Sequence, residues 1–139
     1  MKDHPLLGRD FFDRAVEFRD AYRALPETDP PPDWPRYFLF CHAIELVLKA
    51  YLAQYGVPPT TLERNFGHDL TLLLNAAIDL GLRPSNPETR TYVQALTEAH
   101  KKHWPRYPPA TAAVFIVEQF EPVADDLFSV VRPAVYGTY

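Results

Sequence analysis

Cysteine is almost absent: Cys41 stands alone in 139 residues. A single thiol closes no intrachain disulfide and builds no cysteine-based metal cluster. That scarcity fits a reducing compartment, so a cytoplasmic location is the expectation. Glycine is also scarce. Five residues leave little material for a phosphate-cradling loop, and no Walker, dinucleotide-binding or Gly-x-Ser-x-Gly pattern occurs. Long apolar runs are missing, so no membrane-spanning helix is expected. The stretch Met1–Gly8 carries Asp3 and His4 without an apolar core, which speaks against a secretory signal. Surplus positive charge is missing too. With 14 Lys+Arg against 18 Asp+Glu the formal net charge is −4, which disfavours a generally basic nucleic-acid binder and leaves room only for a local basic patch. At 47% hydrophobic and 23% charged residues, the chain has material for one folded domain with a substantial core.

Proline is abundant instead, with 15 residues, and it clusters. The groups at Pro26–Pro35, Pro58–Pro59, Pro84–Pro87 and Pro105–Pro109 separate five segments that all read as helical. The first spans about Arg9–Leu25, with Phe11, Ala15, Phe18, Tyr22 and Leu25 as its apolar stripe. The second spans about Pro35–Tyr55. Asp33 is placed to cap it, Gly56 to end it, and its near-uniform apolarity puts it at the centre. The third spans about Asp69–Leu80, with Leu70, Leu73, Leu74 and Ala77 inward. The fourth spans about Pro87–His103, with Tyr92, Leu96, Ala99 and His103 on one side. The fifth spans about Ala110–Val131, with Pro122 expected to kink or split it. No period-two alternation or hairpin turn appears. The expected fold is an all-α, antiparallel up-and-down bundle of about five helices, one domain over 1–133 with a tail at 134–139.

Polar residues inside apolar segments are the candidates for function. His42, Glu45 and Lys49 share one face of the second helix, with Glu45 and Lys49 in the favourable i, i+4 order. The strip reads either as a solvent-facing or satisfied pair at a helix contact, or as a functional polar groove. In Gly67-His68-Asp69-Leu70, a capping role for Asp69, or for His68, accounts for the tetrapeptide. The stretch His100-Lys101-Lys102-His103-Trp104-Pro105-Arg106-Tyr107 interleaves cations with aromatics, as phosphate contact and base stacking require. It also sits at a helix C-terminus, where cations are favoured without any ligand. His100 and His103 are one turn apart, but no third ligand is indicated, so no metal is expected. Cys41 and His42 are adjacent on a helix and point apart, so Cys41 reads as a core residue.

The segment Cys41-His42-Ala43-Ile44-Glu45-Leu46-Val47-Leu48-Lys49-Ala50-Tyr51-Leu52 resembles the second helix of HEPN domains. Gly67-His68-Asp69-Leu70 resembles the Gly-His-Asp-Leu motif that often follows it, and Arg106-Tyr107-Pro108 resembles the Arg-Tyr-Pro of small prokaryotic members. The resemblance covers roughly residues 9–131. It implies a helical bundle, commonly a homodimer. Many members are metal-independent ribonucleases that use an Arg-x(4–6)-His motif, and others accompany a nucleotidyltransferase in toxin–antitoxin pairs. Arg106 stands where the motif arginine would fall, and no histidine follows it. The leading expectation is therefore an RNA- or nucleotide-binding or protein-interaction module in a toxin–antitoxin or defence setting. Lys101, Lys102 and Arg106 would contact phosphate, with Trp104 or Tyr107 stacking. The alternative is a ribonuclease in which Arg106 works with His103, His42 or His68. No cofactor is expected, and a structural partner of a nucleotidyltransferase-type protein is the third reading.

Overall fold

The prolines explain where the helices begin. In the computed structural model, which describes residues 5–26, 34–103 and 117–137 (side chains within 7–26, 35–98 and 119–137), Pro5 opens α1 (Pro5–Ala24). Pro35 is the second residue of α2 (Trp34–Gln54), and Pro59 opens the single-turn α3 (Pro59–Thr61). Pro122 is the second residue of α6 (Glu121–Tyr136). At these positions the missing N–H has no intrahelical partner to lose. The remaining helices are α4 (Leu70–Asp79) and α5 (Thr89–His103). A π-helical turn, Leu62–Phe66, continues α3, and a 3-10 turn, Val117–Phe120, leads into α6.

The described residues are predominantly helical and contain no strand, as expected. They form six α-helices rather than five. The extra one is α3, in the connection after Pro58–Pro59, because proline in a first turn starts a helix as readily as it ends one. Pro122, expected to kink or split the last segment, lies in the first turn of α6, just after the 3-10 turn. The part of that segment at 110–116 and the proposed cap Asp33 lie outside the described residues. α6 runs through to Tyr136, so the stretch read as a tail begins as helix. Val135 there is buried, Arg9 Nε donates to its carbonyl at 3.4 Å, and the Tyr136 hydroxyl donates to Asp13.

α2 is buried on nearly every side and is the axis of the bundle. Its Phe40, Ile44, Leu48 and Leu52 pack with Phe12 and Tyr22 of α1, Leu70, Leu73 and Leu74 of α4, Leu96 of α5, and Leu127 and Val131 of α6 in one core. α1 and α2 are antiparallel: Gly8 lies against Ala50 and Gln54, while Arg36 stacks on the Tyr22 ring at the other end. α6 runs antiparallel to α1, fixed at one end by Arg9–Val135 and at the other by Arg23, which donates to Glu121 and Asp125 at 3.1 Å each. α5 is antiparallel to α4 and α6. Thr71 Oγ1 donates to Thr97 Oγ1 at 2.7 Å, and Thr89 Oγ1 donates to Asp126 at 2.8 Å.

One pairing departs from an up-and-down order. His68 meets Glu45, and the Tyr51 hydroxyl donates to the Leu80 carbonyl at 3.3 Å, so α4 advances along α2 in the same sense. The connector after Gly56 carries the chain back along α2 before α4 begins. This return places the start of α4 beside the middle of α2, which builds the site below.

Candidate functional site

Local geometry of the connector aims His68 at α2. The π turn ends at Gly67, whose φ of +54° lies in the left-handed region that glycine enters without penalty. Asp69 then caps α4, accepting the Leu72 N–H at 3.0 Å, as its place before the leucine run suggests. The intervening His68 projects back and brings Nδ1 to 2.9 Å from Glu45 Oε1. A carboxylate only accepts, so Nδ1 carries the proton in this contact.

Glu45 is the hub. Its second oxygen accepts from Lys49 Nζ at 2.8 Å, one turn further along α2. His42 Nδ1, one turn back, lies 3.8 Å from Oε1, an ion-pair distance rather than a hydrogen bond. The Glu45 side chain is 4% exposed, that of Lys49 11%, and that of His68 65%. Burial pushes the Glu45 carboxyl up. The three groups around it, His42, Lys49 and His68, outweigh burial and hold it at about 2. The strip on α2 is therefore a satisfied pair at a contact between elements, rather than a solvent-facing pair or an open groove. It is a nearly dry carboxylate tying two elements together, with one imidazole left largely in water.

His42 has a second environment. The Phe18 ring of α1 stands at 82° to its imidazole with centroids 4.5 Å apart, and the Phe38 ring stands at 87° and 5.9 Å. Cys41, beside it in sequence, faces the other way into the core. Complete burial pushes its thiol up to about 12, which removes it from nucleophilic chemistry near neutral pH.

The structure thus gathers four of the sequence candidates, His42, Glu45, Lys49 and His68, and assigns a fifth, Asp69, to capping. His103 is the last residue of α5 and Lys101 and Lys102 precede it in the same turn, but their side chains lie outside the described set. Trp104, Arg106 and Tyr107 lie outside the described residues altogether. Phe18 reads in the sequence only as part of the apolar stripe of α1 and Phe38 not at all, although Phe38 precedes His42 by four and so shares its helix face. Among the described residues, no three His, Cys, Asp or Glu side chains are gathered to hold a metal ion. A separate open groove of about 450 Å³ runs between α4 and α5, lined by Thr71, Leu74, Asn75, Asp79, Arg90 and Gln94. Arg90 donates across it to Asn75 at 3.2 Å.

Among the described residues, no helix is long and apolar enough to cross a membrane. Compared with protein-family models, with curated proteins and with solved structures, the chain matches none.

Proposed function

We propose that this chain is a HEPN-like module that binds RNA through its phosphates and bases, acts as a homodimer, and serves a toxin–antitoxin or defence system beside a nucleotidyltransferase-type partner. The observation that supports it most is one of placement. Thr97 of α5 bonds to Thr71 in the first full turn of α4, and His68 lies just before that turn. The last turn of α5, which carries Lys101, Lys102 and His103, therefore extends past the start of α4, where His68 meets Glu45 in the middle of α2. Residues able to carry positive charge thus follow on α5 beyond the level of His68, in a chain whose net charge is −4. Such segregation suits a polyanion better than an average surface does.

The test is fluorescence anisotropy of a labelled single-stranded RNA at ~50 and ~200 mM salt. Binding should weaken steeply with salt. A Lys101→Ala, Lys102→Ala, Arg106→Ala variant should bind more weakly and lose about 0.7 of log–log salt slope for each phosphate contact removed. No binding by the wild type at the lower salt overturns the proposal.

A second reading, metal-independent ribonuclease activity, is favoured by the His68–Glu45 contact. A buried carboxylate that fixes an exposed imidazole is an arrangement suited to a general base, here one that takes the proton of a ribose 2′-hydroxyl. In this reading Arg106 or Lys49 would supply charge to the phosphorane-like transition state. RNA cleavage in EDTA that survives His103→Ala but is lost in His68→Ala and Arg106→Ala supports it. Intact RNA over pH 5–8 rejects it.

A further inference from the structure

α4 has three distinct faces. Leu70, Leu73, Leu74 and Ala77 are its buried stripe. Its polar residues, Thr71, Asn75 and Asp79, recur every four positions and form one row along the groove toward α5. A third row, Leu72, Ala76 and Leu80, recurs at the same spacing and is apolar. Leu72 is 47% exposed and Leu80 43%, with half-buried Ala76 between them. A single exposed leucine needs no explanation. Two leucines bracketing an alanine along about 12 Å of one helix make a ridge with no groove to fill.

The ridge is held rigid, and the groups that hold it charge its two ends. Asp69 caps the start of α4 by accepting the Leu72 N–H at 3.0 Å, which fixes a carboxylate beside Leu72. At the other end the Tyr51 hydroxyl donates to the Leu80 carbonyl at 3.3 Å. Arg83 Nη1 donates to the Ile78 and Leu82 carbonyls at 3.3 and 3.0 Å, which draws an exposed guanidinium back to the last turn of α4.

This pattern is complementary to itself. Leu72 and Leu80 lie four residues either side of Ala76, and Asp69 and Arg83 lie seven either side of it. Two copies of α4 crossing antiparallel at Ala76 therefore set each Leu72 against the partner's Leu80, and each Asp69 end against the partner's Arg83 end. Such reciprocity is what a two-fold axis requires. The small side chain of Ala76 lets the backbones approach at the crossing, and both ridges are i±4 rows, the commonest class of helix packing. A parallel crossing would set like charges together. We propose that the Leu72–Ala76–Leu80 ridge is the two-fold contact between two copies of this chain. This inference rests on the homodimer reading above and adds to it the surface and the alignment.

Sedimentation velocity of the full chain at ~5 and ~200 µM tests it, because a dimer population follows mass action. The wild type should be dimeric at the higher concentration. Leu72→Lys alone and Leu80→Glu alone should each weaken association at least about tenfold, since each places an unpaired charge in the contact. The double variant should regain most of that loss, because every new lysine then meets a new glutamate across the axis. Both leucines are exposed in a single copy, so neither change opens its core. Ala76→Cys gives a readout free of added charge. With oxidised glutathione it should form an intersubunit disulfide, Cys41 being buried, whereas Arg14→Cys, exposed on α1, should not. A wild type that stays monomeric at both concentrations ends the homodimer reading and this inference with it. A wild-type dimer that Leu72→Lys and Leu80→Glu leave intact forms through another surface, so this inference falls and the homodimer reading stands. Single variants that dissociate without rescue in the double variant overturn the antiparallel alignment, and the proposal with it.

Discussion

At the scale of single residues, the molecule depends on a carboxylate kept ionised almost out of water. Glu45 is stable there because Lys49, His68 and His42 offset its desolvation. Removing the acid alone leaves Lys49 largely buried without its partner. Glu45→Leu should therefore cost about 3 kcal/mol in urea denaturation at neutral pH, whereas Glu45→Leu combined with Lys49→Leu should cost clearly less. Equal losses in the two variants would show that the pair is solvated. The pH dependence has a definite sign. The folded-state pKa of Glu45, about 2, lies below its ordinary 4.5, so its contribution is complete above the ordinary value and disappears as pH falls toward 2. The stability gap between wild type and Glu45→Gln should narrow across that interval. A gap that stays constant from pH 5 to 2 would mean the carboxyl is not held down. The Glu45–Lys49 pair was legible in the sequence because i, i+4 spacing on a helix dictates it. The His68 contact was not, because it joins residues 23 apart through a connector whose path no periodicity encodes.

At the scale of elements, the α1–α2 crossing depends on glycine's lack of a Cβ at position 8. A Cβ placed on Gly8 would lie 2.7 Å from Gln54 Oε1 and 3.1 Å from the Ala50 carbonyl oxygen. The glutamine can swing away, but the carbonyl belongs to the α2 backbone. Alanine would ordinarily favour a helix over glycine by about 1 kcal/mol. Here the close approach opposes that gain, and a larger side chain must push α1 and α2 apart. Gly8→Val should destabilise by about 1–3 kcal/mol, the usual range for overpacking, and Gly8→Ala by less. Thermal unfolding at constant pH measures both. A Gly8→Val variant as stable as wild type would show that the crossing adjusts freely. Sequence reading began this helix at Arg9, so the contact was out of view. It did recover the core of α4, whose apolar positions announce themselves by spacing, and the central place of α2, which its near-uniform apolarity marks. On α1 it gave Ala15 and Tyr22 but chose Phe11 over the more deeply buried Phe12. Adjacent phenylalanines fit a helical stripe equally well, and only the neighbouring α6, through Phe128 and Tyr136, decides between them.

At the scale of the whole molecule, the directions of the helices separate framework from site. α2, α4 and α6 run one way while α1 and α5 run the other, because the chain after Gly56 returns along α2. Composition and period gave the helices, but not this return, since Pro58–Pro59 reads equally as a stop and as a start. The connector at 59–69 is held by buried Leu62, half-buried Phe66 and the His68–Glu45 bond, whereas α2 is enclosed by its neighbours. The two should open independently. Hydrogen exchange read by mass spectrometry tests this. In the wild type, amides of 59–69 should exchange faster than those in the interior of α2. His68→Ala should accelerate the connector about fivefold, the equivalent of roughly 1 kcal/mol for a bond to a charged acceptor on a partly exposed side chain, and leave α2 unchanged. Glu45→Leu should accelerate the connector as well, and α2 with it, because it also strands Lys49. If His68→Ala speeds α2 by the same factor as the connector, the histidine supports the whole bundle, and its exposure to solvent is incidental to packing. If only the connector responds, His68 is a tether whose loss the framework tolerates. That leaves the imidazole able to be substituted and tested for RNA contact or cleavage in a protein that remains folded.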